Sequence, residues 1–179
     1  NGTRIIFPDW KMDEKNPDRC IHNEGVSYMK IYDKCDMEII DTCSIGEYVF
    51  LCKLRRFVSF NENILRLGGI HNGHVLAPKE IASILGMSIN SVRDYIKFFK
   101  AVEIIGDYQL PCKDNPKITT KCLVINPWVY SKGQYMLVDI CDLFANSYWY
   151  GLAYARKGEI ENKEALNPII AYKSHGFVD

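Results

Sequence analysis

The side chains best suited to specific chemistry lie together on one short segment of the chain. Asn90, Asp94 and Lys97 follow one another at spacings of four and three residues, and Arg93 and Ser91 flank them. This spacing places side chains on one face of an α-helix. Amide, guanidinium, ammonium and hydroxyl groups in such an array hydrogen-bond to base edges and phosphates in the major groove of duplex DNA. The array therefore predicts a DNA-reading surface.

The opposite face of the same segment is apolar. Successive residues of an α-helix are rotated by about 100°, which places several apolar side chains of this segment in one narrow stripe. The stripe consists of Ile89, Val92, Ile96 and Phe99, with Tyr95 at its edge. A helix with one apolar and one polar face packs its apolar side on a core, so the polar side should face solvent.

Local signals define a second helix just before this one. Pro78 suits the first position of a helix over 78–85, and Gly86 is a natural left-handed stop. Ser88 then suits the capping position of the next helix, 89–101. Two helices joined by a tight turn have the order and length of a helix-turn-helix, whose second helix enters the major groove.

Two β-prone pieces follow, "EIIGDYQL" and "TTKCLVIN", and "PCKDNPKI" separates them, which predicts a hairpin with a long tip. Lysines in that tip would contact phosphates and supply affinity and salt dependence. The predicted DNA-contacting residues are Lys79, Ser88, Asn90, Ser91, Arg93, Asp94, Lys97, Lys113, Lys117 and Lys121.

Charge is unevenly distributed along this chain of 179 residues, whose formal net charge is zero. Residues 43–133 hold twelve Lys or Arg and seven Asp or Glu, a net charge of +5. Residues 1–42 carry −3 and residues 134–179 carry −2. The division predicts an N-terminal arm or extension, a central DNA-binding domain and a C-terminal helix and tail, with these boundaries.

The remaining elements are less regular. Ser44 and Glu47 form a capping-box pattern that predicts a central helix over 44–60. Residues 26–40 fit either a strand that runs into polar turn residues or the start of a helix. Residues 1–27 are rich in Pro, Asp, Asn and Gly and indicate an irregular arm.

The C-terminal part predicts one more helix, "QYMLVDICDLFANSYW", and then a loop or loosely attached tail from residue 157. One side of this helix carries an apolar stripe that is a candidate dimer interface. The stripe consists of Leu137, Ile140, Cys141, Phe144 and Tyr148. A symmetric homodimer would place two reading helices on two half-sites.

Catalytic and metal-binding patterns are missing from the sequence. There is no phosphate-cradling glycine loop, nucleophile elbow or nucleotide fingerprint, so we predict no enzyme activity and no cofactor. His71 and His74, with Cys20 and His22, lack the paired spacing of a zinc site. The seven scattered cysteines indicate a reducing compartment. The sequence also has no long apolar run and no secretion signal. Together these features predict a cytoplasmic protein without a membrane span.

The segment "PKEIASILGMSINSVRDYIKFFKAVEIIG" resembles the winged helix-turn-helix fold of bacterial DNA-binding proteins. Its main positions are occupied by Ile81, Ala82, Leu85, Gly86, Ser88, Val92, Ile96 and Ile105. The later "CLVINPWVYSKGQ" is similar to the winged-helix replication initiators of plasmids and phages of Gram-positive bacteria. The resemblance covers about residues 44–150, with Ala77 standing where a capping Ser or Thr is usual.

This resemblance implies a mainly α fold with a small β-hairpin wing, in the α+β class. It further implies sequence-specific binding of double-stranded DNA in replication initiation or transcription control of a mobile element. The partners would be duplex DNA, a second copy of the chain and other replication or transcription proteins. The alternative is a winged-helix module that binds proteins and no longer binds DNA, which the acidic flanking segments and Asp94 favour.

Overall fold

A computed structural model describes most of the chain. The described residues are 11–13, 15–21, 29–112, 115–133, 135–154 and 167–174. Within these ranges the fold is mixed α+β, as the sequence predicts, with seven α-helices and seven short β-strands. None of the helices in these ranges has the length and apolar character needed to cross a membrane.

The helices are α1 (Asp33–Thr42), α2 (Ile45–Leu54), α3 (Pro78–Leu85), α4 (Ile89–Ala101), α5 (Val138–Leu143), α6 (Tyr148–Tyr154) and α7 (Pro168–Ser174). The strands are β1 (Lys11–Asp13), β2 (Asn16–Ile21), β3 (Met29–Ile31), β4 (Ile105–Pro111), β5 (Thr119–Ile125), β6 (Tyr130–Lys132) and β7 (Tyr135–Leu137). All strand pairs are antiparallel and form three small sheets: β1-β2-β7, β3-β6 and β4-β5.

Helix α2 buries one face in the core and exposes the other, so its high apolar content does not make it fully buried. Its first turn has the predicted capping box, in which the Ser44 side chain accepts from the Glu47 N–H and the Glu47 carboxylate accepts from the Ser44 N–H. Phe50, Leu51 and Leu54 are buried. The helix ends earlier than the predicted residue 60, because the chain tightens into a 3-10 turn at 55–57.

Aromatic packing joins α2 to α4. The Phe50 ring stacks on Tyr95 with ring centroids 4.9 Å apart and on Phe99 at 6.3 Å. Val92 and Ile96 are buried beside them, so the predicted apolar face of α4 does meet the core. Ile89, the first member of the predicted stripe, is only half-buried.

The loop before α3 is tied to the sheets by one buried side chain. Asn63, fully buried, donates through Nδ2 to the carbonyl of Tyr130 at 2.8 Å and to that of Ile125 at 3.2 Å. Its Oδ1 accepts from the N–H of Lys132 at 3.2 Å. The residue has a φ of 55°, a left-handed conformation that Asn tolerates better than most residues. One side chain thus joins β5, β6 and the loop.

Several local predictions differ from the structure. Residues 26–40 contain both alternatives, since β3 precedes α1. Residues 11–13 and 16–21 form strands, so the irregular arm is wrong there, while residues 1–10, 14 and 22–27 lie outside the described residues. The strands exist because β2 pairs with β7, far along the chain.

The C-terminal predictions also need correction. The expected single helix is divided into β7, α5, a turn and α6, because residues 135–137 pair with β2. Part of the expected tail is α7, whose Ile169 is fully buried. Lys173 Nζ anchors this helix to the Glu47 carboxylate at 2.8 Å. The predicted division at residues 42 and 133 stays a prediction, although one buried core contains side chains from all three segments.

Asn63→Ala should lower the free energy of unfolding by about 3 kcal/mol. The change leaves two buried carbonyl groups and one N–H without their Asn63 partner, and each such loss costs about 1–3 kcal/mol. Urea denaturation followed by circular dichroism measures the effect. Asn72→Ala, at an exposed turn position, is the control and should change stability by less than about 0.5 kcal/mol. Equal stabilities would contradict the role given to Asn63.

Candidate nucleic-acid interface

Helix α3 begins and ends as its sequence predicts. Pro78 occupies the first turn, and Gly86 ends the helix in the left-handed conformation, with φ 64° and ψ 34°. Ala77 cannot cap through its side chain, but its N–H donates to Glu80 Oε2 at 2.8 Å. The carboxylate of Glu80 therefore supplies its own half of a capping box, and the half that a Ser or Thr side chain would supply is missing at Ala77.

The start of α4 is set by Ser88. Its Oγ accepts from the N–H of Ser91 at 3.0 Å and lies 2.8 Å from the Ser91 hydroxyl. The short turn after Gly86 and this cap together orient α4 relative to α3. The capping contact confirms the predicted first residue of the helix.

The solvent face of α4 carries the predicted polar array. Asn90, Ser91, Arg93, Asp94 and Lys97 are all exposed. In the described part of the chain, none of the three charged members of this array forms an ion pair. The structure therefore brings these five side chains together on one open surface, where the Ser91 hydroxyl also contacts Ser88 Oγ.

Lys100 extends this face and was not among the predicted residues. It follows Arg93 by seven positions and Lys97 by three, so it continues the same helical stripe. Its Nζ lies 2.7 Å from Oδ1 of Asp107, which the predicted residues also did not include. The seven-residue spacing from Arg93 was the signal that could have identified Lys100.

The predicted tip lysines are found in different places. Lys121 is not in the tip but within β5, opposite Gln109, and its Nζ lies 3.3 Å from Asp107 Oδ2. Lys117 is exposed in the turn before β5, and its N–H donates to Asn115 Oδ1 at 3.1 Å. Lys113 lies outside the described residues.

Lys79 completes the predicted set. It is exposed in the first turn of α3. Lys79 and Lys117 form no ion pair within the ranges that the structure describes, in contrast to Lys121. Among the described residues, Lys79 and Lys117 thus have no ion partner, whereas Lys121 shares the Asp107 carboxylate with Lys100.

An open cleft of about 730 Å³ separates the start of α3 from the β4-β5 hairpin. Val75, Leu76 and Leu123 provide apolar lining. Its charged lining consists of His74 and Glu80 on the α3 side and Lys100, Asp107 and Lys121 on the hairpin side. Both acids of this lining therefore have partners: Glu80 contacts His74, and Asp107 contacts Lys100 and Lys121.

The two acids of this cleft are held ionised. The N–H of Ala77 and then His74, by hydrogen bonds, lower the pKa of Glu80 below its usual value. Partial burial acts to raise the pKa of Asp107, but hydrogen bonds from Lys100 and Lys121 outweigh it, so the pKa is lowered. Both carboxylates therefore carry full negative charge at neutral pH.

The predicted dimer stripe is mostly inside the chain. Ile140, Cys141 and Phe144 are buried, and only Leu137 and Tyr148 are half-buried. Phe144 packs on the hairpin where Gly106 has no side chain. A Cβ there would lie 2.7 Å from Phe144 Cζ. In this conformation the three buried members pack in the chain's own core and are not accessible to a second copy of the chain.

Both candidate metal-binding histidines that the structure describes contact a glutamate. His71 Nδ1 lies 3.1 Å from Glu62 Oε1, and His74 Nε2 lies 2.7 Å from Glu80 Oε1. Across the residues that the structure describes, no group of three His, Cys, Asp or Glu side chains could hold a metal ion. His22 lies outside those residues.

Comparison with known proteins identifies no relative of this chain. No family model, no curated protein and no solved structure matches it. The resemblance to winged-helix replication initiators therefore stays a prediction, and the site is described by its own geometry.

Ser88→Ala should lower the free energy of unfolding by about 1 kcal/mol, because the first turn of α4 loses its side-chain cap. Thermal and urea unfolding measure the loss. Ser88→Asp should recover most of it, since a carboxylate also accepts at this position and suits the positive end of the helix dipole. Ser83→Ala, at an exposed position inside α3, should leave stability within about 0.5 kcal/mol of the parent.

Proposed function

We propose that this chain binds double-stranded DNA through a winged helix-turn-helix, with α4 as the reading helix and the β4-β5 hairpin as the wing. The observation that carries the proposal is the exposed polar face of α4. Its side chains point away from the core and, among the charged ones, have no ion partner in the described residues. The order α3, tight turn, α4 and antiparallel hairpin is that of the winged class.

Each side chain of the array suits a particular contact. Arg93 can bind a guanine edge through two hydrogen bonds, and Asn90 can bind an adenine edge in the same way. Asp94 can accept from the N4 amino group of cytosine. Lys97 and Ser91 suit phosphates, which position the helix without reading the sequence.

The wing and the start of α3 would add phosphate contacts. Lys79 and Lys117 are exposed and, within the described residues, unpaired, and Lys113 belongs to the same hairpin connection in the sequence. Phosphate contacts supply most of the non-specific affinity and make binding depend steeply on salt. The local net charge of +5 over residues 43–133 supports this arrangement, although the whole chain is neutral.

The biological role that we propose is replication initiation or transcription control in a plasmid or phage. A homodimer on two half-sites would gain affinity, because a single reading helix buries little surface. Since Ile140, Cys141 and Phe144 are buried, such a dimer would use other surfaces of the chain. Other replication or transcription proteins would then bind to the DNA-bound dimer.

A second candidate is a winged-helix module that binds a protein partner. Aliphatic side chains on the solvent side of α1 and α2 favour it. These are Met37, Ile40, Ile45 and Val49, and Ile45 is 85% exposed. The acid Asp94 within the polar array and the pairing of Lys121 with Asp107 reduce the positive charge that DNA would require. An affinity for duplex DNA that does not change with salt concentration, or no binding to duplex DNA, would favour this candidate.

The double variant Arg93→Ala/Lys97→Ala tests the first candidate. We expect its affinity for duplex DNA to fall by about 10- to 100-fold at low salt. The slope of log affinity against log salt should become shallower by about 1.8 if both side chains contact phosphates, or about 0.9 if Arg93 binds a base. Fluorescence anisotropy with a labelled duplex at several salt concentrations measures both quantities.

Lys34→Ala/Arg56→Ala is the matched control, because it removes the same charges from exposed positions on α1 and beyond α2. It should lower affinity far less than the double variant. An unchanged affinity in Arg93→Ala/Lys97→Ala, or equal losses in both double variants, would contradict α4 as the reading helix.

A further inference from the structure

Asp107 forms contacts with two lysines that border the proposed interface. Its Oδ1 lies 2.7 Å from Lys100 Nζ and its Oδ2 lies 3.3 Å from Lys121 Nζ. Lys100 comes from the last turn of α4, and Lys121 comes from β5. Asp107 itself lies on β4, diagonally across the hairpin from Lys121. One carboxylate therefore joins the reading helix to both strands of the wing.

If α4 reads the groove and the β4-β5 hairpin is the wing, the two lysines would border the DNA backbone. Lys100 continues the stripe of Arg93 and Lys97 toward the hairpin, and Lys121 is on the adjacent strand. Together these four cations form a path from the middle of α4 to the wing. Asp107 lies at the wing end of that path, where it pairs with Lys100 and Lys121.

The chemistry of the contact resembles that of a phosphate. A phosphodiester presents two charged oxygens that accept from ammonium groups, and a carboxylate does the same. The exposed fractions of the side chains are 37% for Asp107, 32% for Lys100 and 64% for Lys121. Ion pairs this exposed are weak, so a polyanion can displace the carboxylate from them.

We propose that Asp107 is an intramolecular competitor for DNA phosphate. In the free protein it occupies Lys100 and Lys121, and in the complex a phosphate must replace it against the repulsion of its remaining negative charge. It thereby limits how many phosphates the chain neutralises and how tightly it binds. This inference rests on the proposed DNA-binding function and names the residue that sets its strength.

The opposite role is also physically possible and gives the opposite sign. A carboxylate can hold two lysines in the geometry that a phosphate needs, and its removal would then weaken binding. Partial exposure favours competition, because the side chain of Lys121 is mostly in solvent and needs no support to reach a ligand. The direction of the affinity change therefore separates the two roles.

The test compares Asp107→Asn with the parent chain on one labelled duplex, by fluorescence anisotropy at several salt concentrations. We expect Asp107→Asn to bind about tenfold more tightly at about 0.1 M salt. Its log–log salt dependence should be steeper by up to about 1.8, because two lysines become available to phosphates. Asp107→Glu keeps the charge and should bind like the parent chain.

Two further variants test whether the gain in affinity is specific to Asp107 and requires its two lysine partners. Asp41→Asn removes the same charge from an exposed position on α1 and should change affinity by less than about twofold. Adding Lys100→Ala and Lys121→Ala to Asp107→Asn should abolish the gain. Circular dichroism and urea unfolding check that each variant folds, which we expect because the three side chains are partly exposed.

The outcomes distinguish this inference from the proposed function. If the parent chain binds duplex and Asp107→Asn binds equally or more weakly, competition by Asp107 is refuted while DNA binding stands. If Asp41→Asn tightens binding as much as Asp107→Asn, net charge explains the gain and the inference is also refuted. If neither the parent chain nor Asp107→Asn binds duplex at the lowest salt, both the function and the inference fail.

Discussion

Stacking of α4 on α2 through Phe50 fixes which face of α4 is turned to solvent. Phe50 lies against both Tyr95 and Phe99, and Val92 is fully buried beside them. Each buried side chain of this size contributes about 1.5–3 kcal/mol. A rigid helix has only one rotation that buries this face, so the same packing turns Asn90 and its neighbours to solvent. Core packing thus orients the candidate interface.

Pairing between neighbours matters more for this surface than the net charge of the chain. A neutral protein can still present a basic surface when its acids lie elsewhere, and here most of the excess positive charge is central. Within that region, however, the single carboxylate of Asp107 offsets part of the charge of Lys100 and Lys121, while Arg93 and Lys97 form no ion pair among the described residues. The charge available to a polyanion is therefore smaller than a residue count indicates.

Prediction from sequence succeeded where the signals were local. Gly86, Ser88 and the capping box of Ser44 each act within four residues, and the structure confirms all three. It failed where an element exists because of a distant partner. Strand β2 forms by pairing with β7, and α7 is held by contacts such as Asn167 Nδ2 to Glu38 Oε1 at 2.5 Å. A segment that depends on such partners carries little periodicity of its own.

Local sequence signals predicted the two helices, the turn between them, the hairpin and the polar face of α4. Helical periodicity, caps and turns depend on residues that are close together in the sequence, so they can be predicted from the sequence alone. The burial of Phe144 against Gly106 and the pairing of Lys121 with Asp107 could be found only in the folded chain. Both contacts join residues that are separated in sequence, and folding alone brings them together.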